Sequence, residues 1–318
     1  MGAVGSRAAR QLVSTDAVTF VEICDIDEER AQVVVASLGE EHSAVAREPT
    51  DVDVVVLAIP SGSHAAQARR FVDGGVPVVS VSDDVDVVRA LLELDSLARR
   101  NAAPVVVGAG FSPGLTCVLA AHAAAALDHV DEVHVAKVGT GGPSCAQAHH
   151  RALAGAALDW RDGNWVTRRA GSGRELCWFP DPIGGEDCYR AALPDALLLA
   201  PAFAGVERIT ARMGANRRDR ITSRFPMLRP PHPEGGLGAA RVEIRGRRGS
   251  ASVVQVLGAM DRPAVAAGAV AALAAVAAGS GQLRRGGAGG LAELVDPLWF
   301  LGELAQRGVK AAVFEGAA

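Results

Sequence analysis

The chain opens Met1-Gly2-Ala3-Val4-Gly5-Ser6-Arg7-Ala8-Ala9-Arg10. Gly2-x-x-Gly5 running into a helix reads as the back half of a dinucleotide-binding turn, G-x-G-x-x-G. Gly2 takes the place where backbone closes on a pyrophosphate, and Gly5 the place where the helix packs tightly on the sheet. Ala3 and Val4 lie between them in the same turn. The first glycine and its strand are not in the sequence, which predicts a parallel sheet without its first strand and a natural chain that continues upstream of Met1. The plainer reading is a helix that follows a glycine turn. Downstream, Val18 to Cys24 reads as a buried strand that ends at Asp25. That is roughly twenty residues past the glycines, where the fingerprint places a carboxylate on the ribose 2′-OH. Asp25 and Ile26 thus join the expected cofactor contacts. A carboxylate there repels a 2′-phosphate and favours NAD; Arg30, nearby in sequence, leaves NADP open. The structural alternative for Asp25 is an N-cap of the helix expected from Asp27 to Leu38.

With 318 residues, 49% of them hydrophobic, and a net charge of −4, the chain has the material for two soluble domains. There are no basic-aromatic tracts, which argues against a nucleic-acid partner. Tyr189 is the only tyrosine, and Lys137 and Lys310 are the only lysines, so catalytic lysine candidates are few. Cys24, Cys117, Cys145, Cys177 and Cys188 show neither C-x-x-C nor Cys/His ligand spacing. No metal site is expected, and the thiols read as reduced, in a cytoplasmic protein without a visible signal peptide. The apolar run Ala264 to Ala278 is short for a membrane span and contains Gly268, so it reads as a buried helix.

Val52 to Ala58, Pro77 to Val81 and Pro104 to Gly108 are apolar strands separated by helical stretches, Ala65–Asp73 and Asp83–Asn101. Alternation of this kind predicts an α/β, doubly wound parallel sheet over residues 1–114. Ligands bind beyond the carboxyl ends of such strands, so residues 59–64, 81–84 and 109–114 should line a cleft. After Gly114 the pattern changes. A helix from Leu115 to Leu127, a strand from Val130 to Val138, a helix through Ala146, His149, His150 and Leu153, and strands near 165–167, 175–179, 206–213, 241–247 and 252–257 predict an α+β substrate or dimerisation domain over 115–283. Asn216 to Gly238 reads as a long loop or lid carrying Arg217, Arg218, Arg220, Arg224 and Arg229. Arg284 to Gly290 reads as a flexible joint, and 284–318 as a C-terminal helical segment, broken near Pro297, that returns to the first domain.

Gly2-x-x-Gly5, Asp25, the strand end Ala58-Ile59-Pro60 and Gly108-Ala109-Gly110-Phe111-Ser112-Pro113-Gly114-Leu115 together resemble the saccharopine dehydrogenase-like NAD(P)-binding oxidoreductases. So do Trp178-Phe179-Pro180-Asp181-Pro182-Ile183-Gly184, Cys188-Tyr189-Arg190 and Leu193-Pro194-Asp195. The resemblance covers most of the chain diffusely, and its most specific piece is Gly-x-Gly-Phe-Ser-Pro-Gly. It implies a Rossmann domain and a second domain that contacts substrate and dimerises. It also implies hydride transfer between nicotinamide and a carbon–nitrogen bond, with a C–O bond of a small polar metabolite as the wider reading. Ala58, Ile59, Pro60 and His64 are then expected near the cofactor. Phe111 and Ser112 open a helix whose N–H groups can meet the nicotinamide amide or a substrate carboxylate; an ordinary Pro-Gly turn is the other reading. Ala58 to His64 also looks like the loop of the Gfo/Idh/MocA-type sugar dehydrogenases. Their Glu-Lys-Pro motif is replaced here by Val81-Ser82-Asp83-Asp84, which counts against that chemistry.

The cofactor carries the hydride, so the protein must handle protons and orient the substrate. Lys137, His149 and His150 are the candidates. Lys137 ends a strand just before Gly139–Pro143, where desolvation lowers a lysine pKa; a solvated strand end is its structural alternative. One surface and one hydrogen-bonded histidine are the alternative for the pair. Arg151 and the arginines at 217–224 can clamp an anion, or simply face solvent. A small-molecule substrate and a homodimer are expected, with no nucleic-acid or membrane partner. A non-catalytic nucleotide-binding module or dimeric partner protein that kept the fold is the competing class.

Overall fold

The computed structural model describes residues 1–60, 62–227, 231–309 and 311–314. Ser61, Arg229 and Lys310, all within stretches considered above, lie outside the described residues.

The first unit alternates helices and short parallel strands. α1 (Ala3–Val13), β1 (Val21–Ile23), α2 (Glu28–Leu38) and β2 (Ser43–Val45) come first, and β1 and β2 pair in parallel. β3 (Val55–Leu57), α3 (His64–Asp73), β4 (Val78–Ser80), α4 (Val85–Leu92), α5 (Asp95–Arg100) and β5 (Val105–Val107) follow. β3, β4 and β5 form consecutive parallel pairs. The parallel sheet is thus in two pieces, and among the described residues no strand joins β1 to β3. This is the arrangement expected of a doubly wound sheet without its first strand. Ala9, Ile23, Ala31 and Val35 form a small separate core under β1 and β2. The single helix expected from Asp83 to Asn101 is two, meeting at Leu94. Asp84, not Asp83, caps the first, accepting from Asp86 and Val87 N–H.

α6 (Leu115–Ala124) leads to the second unit, a sheet of nine strands among the described residues. β6 (His129–Val138) lies at its centre, followed by α7 (Pro143–Ala152), β7 (Ala156–Arg161), β8 (Asn164–Arg169), β9 (Glu175–Trp178) and β10 (Gly185–Arg190). α8 (Asp195–Leu199), β11 (Arg208–Gly214), α9 (Arg217–Thr222), β12 (Gly238–Arg248) and β13 (Ala251–Asp261) complete most of it. β6 pairs parallel to β11 and antiparallel to β12, so the sheet is mixed. β7 and β10 had no counterpart in the sequence reading, and the Asn216–Gly238 stretch holds α9 within it.

α10 (Pro263–Gly279) is the apolar run, buried on nearly every side. Among the described residues no helix is long and apolar enough to cross a membrane. α10 returns to the first unit and packs on α1, β3 and β4. A Cβ on Gly268 would meet Arg7 Cβ at 2.5 Å and Ala8 N at 2.8 Å, so the absence of a side chain sets this helix crossing. The stretch read as a flexible joint contains a strand instead: β14 (Ala288–Gly289) adds to the sheet beside β5. Arg285 is fixed there by Glu293 at 2.9 Å, and Ala288 N–H donates to Asp95 at 2.9 Å. α11 (Leu291–Leu294) and α12 (Pro297–Gln306) then pack on α6, and β15 (Ala311–Phe314) pairs with β13.

Candidate functional site

The opening turn stands where the sequence placed it. Gly2 is the N-cap of α1, no side chain caps the helix, and a Cβ on Gly2 would meet nothing within 4 Å. The first-turn N–H groups of Ala3, Val4 and Gly5 therefore have no intrahelical partner. Gly5 lies against β3's end: its Cβ would sit 3.4 Å from Ala58 Cβ. At the carboxyl end of β1, Asp25 accepts from Asp27 N–H at 2.8 Å and pairs with the Met1 ammonium at 2.7 Å. Burial pushes its carboxyl up, but these two partners and the Arg30 charge hold it below the usual carboxylate range. The N-cap of α2 is Asp27, not Asp25, so the capping alternative does not account for Asp25. Ile26 beside it is fully exposed. An apolar side chain held out at a strand end, next to a carboxylate, suits a flat heterocycle above and a ribose hydroxyl alongside.

The loop after β3 is tied down by His64, which is 1% exposed. Its Nε2 faces the Ile59 carbonyl at 2.8 Å, so Nε2 carries the proton and donates. Nδ1 then accepts from Ser80 Oγ at 2.9 Å, and Ser80 Oγ accepts from Ser82 N–H at 3.3 Å. Burial keeps this imidazole below its ordinary pKa, against the Ile59 carbonyl and the charges of Asp83 and Asp84. Both ring nitrogens are spent on the framework, so His64 shapes the backbone of Ile59 and Pro60, which are exposed at the cleft.

The Phe111-Ser112-Pro113-Gly114 turn is buried. Gly114 has φ +125°, and a Cβ there would strike the Gly110 backbone. The carboxyl at the start of α6 belongs to the chain itself. Fully buried Asp195 accepts from Ser112 Oγ at 3.0 Å and from Thr116 Oγ1 at 2.6 Å. Burial pushes the Asp195 carboxyl up, opposed by Thr116, the Lys137 charge and Ser112.

Lys137 comes from β6 of the other sheet and is only 4% exposed, which rules out a solvated strand end. Its ammonium donates to the Ser112 carbonyl at 3.1 Å and lies 3.8 Å from Asp83 Oδ2. Ser112 and Asp83 sit just past the carboxyl ends of β5 and β4, so the ammonium stands where doubly wound sheets bind ligands. α7 presents Cys145 and His149, one helical turn apart, to the same place. Burial and then the Asp83 charge push the Cys145 thiol up, against Lys137 and a Gly141 hydrogen bond. Burial, then the Lys137 charge, pushes His149 down to about 3, against the Gly214 carbonyl. His149 is therefore neutral near pH 7, and its Nδ1 is buried without a partner among the described residues. His150 turns away: its Nε2–H donates to the Phe225 carbonyl at 2.9 Å, tethering the lid-like stretch. Arg151 is exposed.

The two halves of the cleft meet at Gly142, whose Cβ would lie 2.9 Å from the Pro233 carbonyl and 3.3 Å from Ala3 Cβ. The candidates thus form two groups. Gly2 to Gly5, Asp25 and Ile26 make one; Lys137 and His149 make the other, with Ser112 and Asp83. His150 belongs to neither. Asp83, Cys145 and Asp195 were not among the sequence candidates. Asp83 lay in a predicted strand-end loop and Asp195 in a quoted motif, so position was their only signal.

Residues 1–80 match the family model "Oxidoreductase family, NAD-binding Rossmann fold", of the Gfo/Idh/MocA type. The match ends before Val81–Asp84, the place where that family's lysine motif was sought. Apo saccharopine dehydrogenase (L-Glu forming) from Saccharomyces cerevisiae is similar over 98% of each chain, with 13% identity and a TM-score of 0.68. Amine dehydrogenase from Mycobacterium smegmatis is similar over 93% of this chain and 94% of its own, with 12% identity and a TM-score of 0.51. The chain has the fold of a Rossmann-type dehydrogenase, similar to that saccharopine dehydrogenase over nearly its whole length.

Proposed function

We propose that the chain is an NAD(P)-dependent oxidoreductase that moves a hydride between nicotinamide and a C–N or C–O bond of a small polar metabolite, with NAD favoured. The observation that carries this is Lys137, a buried cation from the second sheet set at the carboxyl ends of β4 and β5. The residues present fit a dinucleotide. α1 begins uncapped over open space at Gly2, suited to a pyrophosphate. Asp25 suits the ribose hydroxyls and exposed Ile26 the adenine face. The nicotinamide supplies or accepts the hydride when bound.

The chain's own part is to orient the reacting bond and to hold a proton. Lys137 Nζ holds that proton and donates a charge-assisted hydrogen bond to the heteroatom of the reacting bond. The Ser112 carbonyl and Asp83 aim the ammonium. His149 and Cys145 are neutral at physiological pH, so Lys137 is the cation of this centre. Asp195 holds the Ser112 turn through two hydroxyls and acts by positioning.

Fluorescence titration with NADH and NADPH, followed by NADH oxidation with panels of oxo acids plus amines and of carbonyl compounds, tests the proposal. Saturable NADH binding tighter than NADPH binding, with substrate-dependent oxidation, is expected. Failure to bind either nucleotide refutes it. Binding without turnover on any panel member moves the chain to the non-catalytic class.

A further inference from the structure

A cavity of about 480 Å³ opens between the end of α7, the β8–β9 turn and α9. Arg169, Arg217, Arg220 and Arg224 line it, and among the described residues no acidic one does. The spacing 217, 220, 224 puts three of them along one side of α9 and the turn that follows it. Arg220 is fixed in place: its guanidinium lies 4.1 Å from the Tyr189 ring centroid, and Nη1 donates to the Gly171 carbonyl at 3.2 Å.

Arginines nearby in the second unit are neutralised. Arg174, Arg190 and Arg212 pair with Asp187, Asp159 and Glu175 at 2.9, 2.9 and 3.0 Å. Among the described residues, no carboxylate lies within the 4.0 Å ion-pair distance of the four cavity arginines. The nearest in sequence, Asp219, instead accepts from Asn216 N–H in the capping box of α9. Four like charges gathered on one concavity repel one another, and a multivalent anion relieves that repulsion. Guanidinium forks match carboxylate and phosphate oxygens in pairs. Leu153 and Ile221 give the cavity an apolar wall, and its volume exceeds what a bare inorganic ion fills.

We infer that this cavity is a binding site for a small organic polyanion, a phosphate ester or a di- or tricarboxylate, held by Arg169, Arg217, Arg220 and Arg224. The inference does not rest on the nicotinamide reading, since none of these residues belongs to the cleft described above.

Calorimetric titration of the full chain with citrate, glycerol 3-phosphate and inorganic phosphate, at constant ionic strength in chloride, tests it. Saturable one-to-one binding of at least one organic anion is expected, tighter than inorganic phosphate. The tighter of citrate and glycerol 3-phosphate identifies the headgroup. The double variant Arg217→Gln/Arg224→Gln should weaken binding tenfold or more. Arg100→Gln, at an exposed arginine of α5, should leave it unchanged. Arg217 and Arg224 are exposed, so the double variant should melt at the wild-type temperature or above it. No saturable binding of any of the three anions, or equal binding by the double variant, overturns the inference.

Discussion

Gly268→Ala sets two effects of opposite sign against each other. Gly268 lies inside the seventeen-residue helix α10. Helix propensity alone favours alanine there by about 1 kcal/mol. Contact opposes it, because the new Cβ would sit 2.5 Å from Arg7 Cβ, 2.8 Å from Ala8 N and 2.9 Å from Arg7 C. Ordinary contact begins at 3.4 Å, so the helices must part by most of an ångström. The opposing atoms are backbone or adjoin it and cannot swing aside. Overpacking of this kind costs about 1–3 kcal/mol, so a net loss of about 1 kcal/mol is expected. Gly302→Ala is the control: Gly302 lies in α12 with nothing within 4 Å of its Cβ. It should gain about 0.5–1 kcal/mol. Urea unfolding of both variants gives the two signs. Moving α1 also displaces the Gly2 turn, so NADH affinity should fall in Gly268→Ala and hold in Gly302→Ala. A Gly268→Ala protein as stable as Gly302→Ala refutes the close-packed crossing.

Three further outcomes follow from the site. His149, held at about 3 against 6.5 in the unfolded chain, takes up its proton on unfolding at any pH between those values. Stability from this residue is complete above pH 6.5 and drains away toward pH 3 by up to about 1.4 kcal/mol per pH unit. Urea midpoints at pH 7.5 and 5.0 should show His149→Gln spared about 2 kcal/mol of the wild-type loss; equal losses would sink this. Lys137→Gln should lower kcat about 10²–10⁴-fold, the usual scale of a lost proton donor, with NADH affinity within about twofold; unchanged kcat removes Lys137 from the chemistry. Asp25→Ala should weaken NADH binding about 10–100-fold, the scale of lost hydrogen bonds to a charged group, as read by fluorescence titration. Equal NADH affinity would take Asp25 off the ribose.

The parallel strands were legible because Val52 to Ala58, apart from Asp53, and Pro104 to Gly108 are apolar on both faces, as burial on both faces requires. The edges were not. β10, Gly-Glu-Asp-Cys-Tyr-Arg, mixes buried and exposed positions without strict alternation. β14 is two residues inside a glycine-rich run, and pairing with Val105 and Val106 and a hydrogen bond to Asp95, all far away in sequence, make it a strand. The first group of the site was readable because its spacing is local: Gly2, Gly5, Asp25 and Ile26 belong to one βα turn and the strand after it. Lys137 stood out by scarcity. Its setting did not, since Ser112 meets Asp195 across 83 positions of sequence. His64 matched a loop pattern, but the pattern did not say that Ser80 and Ile59 consume both ring nitrogens.

Burial is uneven across the parallel strands. β1, β2 and α2 rest on four buried residues, whereas β3 to β5 share one large core with the second sheet. A region with few buried apolar contacts opens at a low local free energy, and among the described residues this small lobe has far fewer of them than β3 to β5. α1 contributes Ala9 to the small core and also packs on α10. Part of the lobe's stability is therefore borrowed through that single helix. A ligand spanning Asp25 and Gly2 engages a surface intact only while the lobe is closed, and its apparent affinity is discounted by the open fraction. The crossing at Gly268 thereby sets how much binding energy goes to ordering the protein rather than to holding the ligand.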